Sequence, residues 1–255
     1  MNYYLAPNLN PDNHAFFDRT GGVSQGIYNS LNFNYKSNDN PRCLIENMNI
    51  VADYYGVPPQ NIVRLYQDHT NKAVFIDRPS QYQFRADGVV TNRRGLVLGI
   101  TTADCAPVLF ADHKNGIIGA AHAGWRGVLF GIIEHTIDIM LRYGARINNI
   151  AVAVGPCLQK ESFEVKDDMM GLFVESDHEM YNFFNPVPGK KGQFLCDLEG
   201  IIGYRLARMG IDDVSFSEID TYSNPDSFFS YRRNCHQGLI KTAGDFPIQL
   251  STICL

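Results

Sequence analysis

Three residues of the sequence carry the side chains from which proteins build catalytic metal sites. Cys105 and His122 each follow an apolar run and stand beside small residues, and His69 lies between two strand-like runs. Functional side chains are often exposed at such strand ends. A thiolate and two imidazoles leave the fourth position of a zinc ion free, and a metal held in this way lowers the pKa of a bound water towards about 7. These residues therefore predict an open zinc site with a zinc-bound water.

The spacing of these residues leaves other interpretations open. His69 and Cys105 are 36 positions apart, and Cys105 and His122 are 17 apart, so no short metal-binding motif is present. Cys105 can equally be a small buried apolar residue, and the histidines can be hydrogen-bonded loop residues. A metal-free thiol hydrolase is a further hypothesis, with Cys105 as nucleophile and a histidine as base.

The elements that must position these residues follow from hydrophobic periodicity. A helix is predicted from Pro41 to Gly56, which supply its start and stop signals. Further helices are predicted at 128–141, 166–184 and 197–209. Strands are predicted at 62–66, 73–76, 87–91, 96–102, 107–111, 116–122, 150–155, 214–217 and 228–232. Because strands and helices do not alternate regularly, this order favours an α+β layered fold over a doubly wound sheet.

Composition restricts the class of protein. The 255 residues are 45% hydrophobic and 19% charged, which excludes a disordered chain, and the absence of a linker favours one domain over residues 1–255. The net charge of −5 argues against nucleic-acid and membrane partners, so any bound anion needs a local site. Six scattered cysteines and no signal-like segment predict a cytoplasmic protein.

Several segments resemble the YfiH-like, laccase-domain family. They are FDRTGGVS (17–24), GIYNSLN (26–32), Gln67-x-His69, Ala86-Asp87, TADCAP (102–107), AHAGWRG (121–127), VGP (154–156) and FFSYRR (228–233). This resemblance implies the family's fold, in which helices cover mixed β-sheets. It also implies that His69, Cys105 and His122 bind zinc, with copper as the less favoured metal.

The activity implied by the resemblance is that of a multifunctional purine nucleoside enzyme. It combines phosphorolysis of adenosine, inosine, guanosine and methylthioadenosine with deamination of adenosine. The partners would be a purine nucleoside and inorganic phosphate, and the oligomeric state is left open.

Physical chemistry suggests which residues could serve these reactions. The H-x-E motif of zinc deaminases is absent, so Asp104, Asp87 and Asp68 are the candidate proton carriers, although each can be a turn carboxylate. Phosphate is best held by guanidinium groups. Arg126 is the first choice because it lies at a predicted helix start. The other substrate-binding candidates are Arg19, Arg232, Arg233 and Asn32, with Trp125, Phe228, Phe229 and Tyr231 as aromatics that could stack on a purine or fill the core.

Three departures from the family pattern affect the finer contacts. Thr70 replaces a glycine after His69, which predicts a different loop shape. Asp220 replaces a cysteine before Thr221, and Leu239 replaces an arginine.

Other functions compete with phosphorolysis. Some members of the family are credited with peptidoglycan-editing amidase activity on a nucleotide-linked muramoyl precursor. A binding protein with a structural zinc would need a fourth ligand, for which His113 and Asp104 are candidates. Multicopper phenol oxidation is disfavoured because the seven histidines include no His-x-His pair.

Overall fold

The structure is a computed structural model that describes residues 1–79 and 83–255. Its α-helices are α1 (Pro41–Tyr55), α2 (Trp125–Leu129), α3 (Ile132–Arg142), α4 (Asp167–Ser176), α5 (Leu198–Arg208) and α6 (Tyr231–His236). Its strands are β1 (Tyr3–Tyr4), β2 (His14–Phe17), β3 (Ile62–Arg64), β4 (Ala73–Phe75), β5 (Gly88–Thr91), β6 (Val97–Thr102), β7 (Ala106–Asp112), β8 (Ile117–Ala123), β9 (Ala151–Val154), β10 (Glu164–Lys166), β11 (Phe184–Pro186), β12 (Gln193–Cys196), β13 (Val214–Phe216) and β14 (Gln249–Cys254).

Three β-sheets organise these elements. The first sheet has the order β1-β2-β14-β6-β3, the second β13-β9-β7-β8-β5-β4, and a small third sheet β10-β12-β11. Both large sheets are mixed, since β3 is parallel to β6 and β13 is parallel to β9, whereas their central pairs are antiparallel. The expected α+β fold with mixed sheets is confirmed.

The two large sheets pack face to face, and helices cover their outer faces. Leu98 and Ile100 of the first sheet share a buried cluster with Leu109 and Ile118 of the second. Helix α1 covers the outer face of the first sheet through a separate apolar cluster. Helices α2, α3 and α5 cover the outer face of the second. Strands β7 and β8 are buried at every position, which explains why nearly all of their residues are apolar.

The start and stop signals of α1 act as predicted. The side chain of Asn40 accepts a hydrogen bond from the backbone N of Arg42, and Gly56 takes a left-handed conformation at φ 62°.

Within the described ranges, no helix combines the length and apolar character needed to cross a bilayer.

Two predicted helices are interrupted. The helical period over 128–141 spans both α2 and α3, which are separated because Gly131 adopts φ 90°. The predicted helix 166–184 ends at Ser176, because Asp177 is extended and its side chain caps a 3₁₀ helix over His178–Phe183.

The strand predicted at 228–232 is wrong. Phe228 and Phe229 are buried in an irregular segment, and Ser230 accepts a hydrogen bond from the backbone N of Arg233. This serine therefore caps helix α6. The aromatic pair suggests a strand locally, but the cap that follows it fixes a helix start.

Candidate metal centre and cleft

His69, Cys105 and His122 meet at one end of a cleft, although they come from different parts of the fold. His69 lies in the loop after β3, Cys105 in the turn between β6 and β7, and His122 in β8. One ligand atom from each lies within 4.8 Å of the others, and Cys105 Sγ is 3.9 Å from His69 Nε2. A tetrahedral ion with ordinary Zn–N and Zn–S bonds separates such atoms by about 3.6 Å. The donor set therefore fits a single metal ion.

Asp87 orders two of these ligands from behind. Its Oδ1 lies 2.8 Å from His122 Nδ1 and accepts a hydrogen bond from the backbone N of His69 at 3.0 Å. This contact turns the Nε2 of His122 towards the other two ligands, as outer carboxylates do in metal sites. Burial would raise the pKa of Asp87, but hydrogen bonds from His122 and Thr70 lower it to about 2.

The backbone of Asp104 orients the Cys105 turn. Asp104 has φ 87°, which is uncommon for a residue with a side chain. Its carboxylate accepts hydrogen bonds at 2.6 Å from Thr221 Oγ1 and from the backbone N of Arg232. The C-terminal part of the chain thereby holds the turn that presents Cys105.

Cys105 and His122 favour each other's charged states. Burial would raise the pKa of the Cys105 thiol, but His122 and His69 lower it to about 6. Burial would lower the pKa of His122, but the Cys105 thiolate and Asp87 raise it to about 10. The site thus stabilises a thiolate beside a positive charge, and a metal cation can take the place of that proton.

Gly124 leaves room for the ligands. A Cβ atom at this position would lie 3.0 Å from His69 Cδ2 and 3.1 Å from Cys105 Sγ. Any larger residue would have to displace a ligand side chain. The absence of a side chain at Gly124 is therefore part of the fit of the site.

The three ligands open into a cleft of about 750 Å³, which is in the range of small-molecule sites. Its described lining residues are Phe33, Asn34, Tyr35, Lys36, Arg64, Leu65, Tyr66, Gln67, His69, Gln83, Thr101, Thr102, Ala103, Asp104, Cys105, His122, Trp125, Arg126, Leu158, Phe163, Leu198, Tyr231, Arg232, Gly244, Phe246 and Ile248. Aromatic rings and cationic groups are prominent among them. This lining suits a flat, partly anionic ligand.

The structure brings some of the predicted substrate residues to this cleft. Arg126 is exposed at the start of α2, with its guanidinium 5.0 Å from the ring of Trp125. Arg232 lines the cleft, and its guanidinium donates to the carbonyl oxygen of Glu164 at 2.9 Å. Asp104 and Tyr231 also line it.

Other predicted residues lie outside the lining. The guanidinium of Arg19 donates to the carbonyl oxygens of Asn29 and Pro225, and that of Arg233 donates to carbonyl oxygens of residues 221, 222 and 228. The Asn32 side chain donates to Asp39 at 2.9 Å and is fully buried. These three side chains hold loops together.

The three predicted proton carriers lie in different surroundings. Asp87 is buried behind the ligands, and Asp68 forms an ion pair with Arg85. Asp104 contributes the only carboxylate among the described lining residues.

The departures from the family pattern have local explanations. Thr70 donates to Asp87 Oδ2 from its backbone N and from its hydroxyl, both at 2.7 Å, while His69 takes a left-handed φ of 59°. Asp220 accepts a hydrogen bond from Ser162 Oγ at 2.7 Å and so tethers the loop that carries Thr221. Leu239 is exposed outside the described lining of the cleft.

Lys36, Arg64 and Tyr66 also line the cleft, and the motifs do not single them out. The sequence contains one indication that Arg64 is functional, since this residue interrupts the apolar run 62–66. Lys36 lies in a polar loop, and no feature of the sequence distinguishes it.

Comparisons with known proteins identify the family. A sequence model of the family described as "Multi-copper polyphenol oxidoreductase laccase" matches residues 13–243. The purine nucleoside phosphorylase of Deinococcus radiodurans is 37% identical over 232 residues, covering 91% of this chain and 87% of that protein. The purine nucleoside phosphorylase of Haemophilus influenzae is 33% identical over 237 residues, covering 92% of this chain and 95% of that protein.

Solved structures share the fold. A Neisseria meningitidis protein superposes with a TM-score of 0.88 at 30% identity, covering 100% of this chain and 99% of that one. The YfiH protein of Bacillus licheniformis gives a TM-score of 0.83 at 25% identity, covering 95% of this chain and 92% of that one. The chain belongs to the multi-copper polyphenol oxidoreductase laccase family and has the YfiH-like fold.

Proposed function

We propose that this protein is a zinc-dependent purine nucleoside phosphorylase. The observation that carries the proposal is the cluster of His69, Cys105 and His122 at one end of a cleft that also presents Arg126, Arg232 and aromatic rings. The names of the relatives support the same reaction class.

The donor set favours zinc over copper. Two imidazoles and a thiolate also form blue-copper sites, but those usually add a weak axial methionine. Methionine is absent from the described residues that line the cleft. His69, Cys105 and His122 would hold the zinc, which supplies Lewis acidity at this end of the cleft when bound.

In phosphorolysis a phosphate oxygen forms a bond to C1′ of the ribose while the bond from C1′ to the purine nitrogen breaks. The base leaves with the bonding electrons and takes up a proton, and ribose 1-phosphate is the second product. Arg126 can hold phosphate through two N–H donors, because its guanidinium makes no ion pair with any described residue. Trp125 and Tyr231 offer ring faces to the purine.

The same site supports a second proposed activity, the deamination of adenosine. The observation that favours it is the carboxylate of Asp104, the one acidic group among the described lining residues, next to Cys105. Water would add to C6 of adenine and ammonia would leave, with Asp104 as the candidate carrier of the proton.

Alternative functions make different demands on the site. Among the described residues the cluster offers three candidate donors. His113 follows the far end of β7, and both Asp104 oxygens already accept hydrogen bonds, so neither residue supplies a fourth. A structural zinc site would close with a fourth protein ligand, so this cluster favours catalysis. A thiol hydrolase would keep its activity after treatment with a strong chelator and lose it on alkylation of Cys105. An amidase would release an amino acid from a nucleotide-linked muramoyl precursor without phosphate.

The test is the incubation of purified protein with inosine and phosphate, followed by measurement of hypoxanthine and ribose 1-phosphate. We expect both products from the wild type and neither from Cys105→Ala. Cys235→Ala is the matched control, because Cys235 is an exposed thiol of helix α6 outside the described lining. The proposal fails if the wild type gives no product, or if Cys105→Ala gives as much as the wild type.

A further inference from the structure

The cleft contains two cationic side chains, Lys36 and Arg64, for which the structure describes no acidic partner. Arg64 Cζ lies 4.0 Å from the ring centroid of Tyr35, and Lys36 Nζ lies 3.9 Å from that of Tyr66. Neither cation forms an ion pair with any residue that the structure describes. Aromatic faces therefore position both charges without neutralising them.

Arg64 is held in this position at a cost. Burial lowers its pKa to about 10, and the hydrogen bond resolved for its guanidinium goes to the carbonyl oxygen of Phe33 at 3.3 Å. Arg64 is partly buried, and its guanidinium, with one carbonyl acceptor, keeps several N–H donors available. An anion in the cleft would supply the missing acceptors.

The backbone of Arg64 lies some way along the sheet from the Cys105 turn. Arg64 pairs with Gly99 in the register of β3 and β6, and β6 continues to Thr102 before the Cys105 turn. Three residues of strand span about 10 Å. Between these two positions, Gln67 bridges to Thr101 through hydrogen bonds of 2.6 and 2.8 Å.

Four cations line this cleft and only one described carboxylate does, in a chain whose net charge is −5. That carboxylate, of Asp104, already accepts two hydrogen bonds. One inorganic phosphate would occupy Arg126 at the metal end and leave Lys36 and Arg64 without an anion. This acidic chain therefore concentrates positive charge in the cleft, where it can bind an anionic ligand.

We propose that Lys36 and Arg64, on the rings of Tyr66 and Tyr35, form a second anion subsite that binds a phosphate group. This inference rests on the proposed function for the identity of the nucleoside. A phosphate ester carried by the nucleoside itself suits the subsite best, because the ester would place its charge at a distance from the metal end. The substrate class then extends from nucleosides to nucleoside monophosphates.

Calorimetric binding of inosine and of inosine 5′-monophosphate tests the subsite without requiring turnover. Wild type should bind the monophosphate about tenfold more tightly than inosine, since hydrogen bonds to charged groups are strong. Lys36→Met and Arg64→Gln should reduce this ratio to near one. Lys191→Met is the matched control, because Lys191 is exposed and lies outside the described lining of the cleft, so this variant should keep the wild-type ratio.

A second arm identifies the source of the phosphate. If the subsite binds the free co-substrate, Lys36→Met raises the KM for inorganic phosphate about tenfold and leaves the monophosphate ratio at the wild-type value. Either dependence on Lys36 and Arg64 supports an anion subsite. If neither the binding ratio nor the KM for phosphate depends on Lys36 and Arg64, the proposal is overturned. A lack of phosphorolysis with a preserved binding ratio would instead refute the proposed function alone.

Discussion

Asp87→Asn is the sharpest test of how the metal ligands are positioned. Asp87 is fully buried, and its two oxygens accept from His122, from the backbone N of His69, and from the backbone N and hydroxyl of Thr70. An asparagine has one acceptor oxygen, so in either orientation its NH₂ group faces donors that the carboxylate accepted. The substitution therefore removes at least two hydrogen bonds and the negative charge beside His122.

The magnitude follows from these contacts. Outer-shell partners of metal ligands contribute about 10-fold to 100-fold to metal affinity, which corresponds to about 1.4–2.7 kcal/mol. Each lost hydrogen bond to a charged group costs about a further 1.5–3 kcal/mol. Part of this cost lowers the free energy of unfolding, and part weakens metal binding. We expect Asp87→Asn to weaken zinc binding at least tenfold and to lower the free energy of unfolding.

The assay is competitive titration of zinc against a chromophoric chelator, combined with thermal unfolding. Asp112→Asn is the control, because Asp112 is also a fully buried carboxylate that accepts from Asn115 and from the backbone N of Arg146. It lies at the opposite end of β7 from Cys105, so it should lose stability and keep zinc affinity. Equal zinc affinities for the two variants would refute this account of Asp87.

Further predictions concern the cleft and the fold. Gly124→Ala should weaken zinc binding, because the added Cβ atom would press on two ligand side chains. Gly171→Ala is the control, since a Cβ atom there would have no neighbouring atom within 4 Å and should leave zinc binding unchanged. The chelator titration measures both variants. Arg126→Ala should raise the KM for phosphate about tenfold without an equal loss of deamination, and an equal loss of both activities would indicate a structural role. Burial raises the pKa of Glu199 from 4.5 to about 7. The protonated form of Glu199 is therefore favoured on folding. The free energy of unfolding should fall by up to about 3 kcal/mol as pH rises through this interval. Denaturant titrations measure this loss, which should be absent from Glu199→Gln. We also propose that residues 1–255 form one domain, for which circular dichroism and fluorescence should report coincident unfolding transitions; separated transitions would refute it.

The sequence predicted strands β6, β7 and β8 because their signals are local, whereas β14, the central strand of the first sheet, was not predicted. Strands β7 and β8 are buried on both faces, so nearly all of their residues are apolar, and Cys105 and His122 stand where those runs meet turns. His69 was grouped with them because it lies between two strand-like runs, and the motif resemblance predicts the same three residues.

Long-range contacts account for what the sequence did not predict. Nothing near Asp87 in the sequence indicates that it accepts from His69 and His122, since that contact depends on how the loop after β3 and strand β8 meet the residue before β5. The same holds for Arg19, whose guanidinium donates to the carbonyl oxygen of Pro225 in a distant loop. Lys36 and Arg64 reach one cleft only through the pairing of β3 with β6 and the packing of the loop before α1.

The most direct test of the central claim joins metal content to phosphorolysis. Protein stripped by a strong chelator is titrated with zinc while bound metal and the release of hypoxanthine from inosine are measured on the same samples. We expect activity to rise linearly and to reach its plateau at one zinc ion per chain, with His122→Ala binding little zinc and remaining inactive. Full phosphorolysis by the metal-free protein, or a plateau that does not depend on His69, Cys105 and His122, would contradict the account.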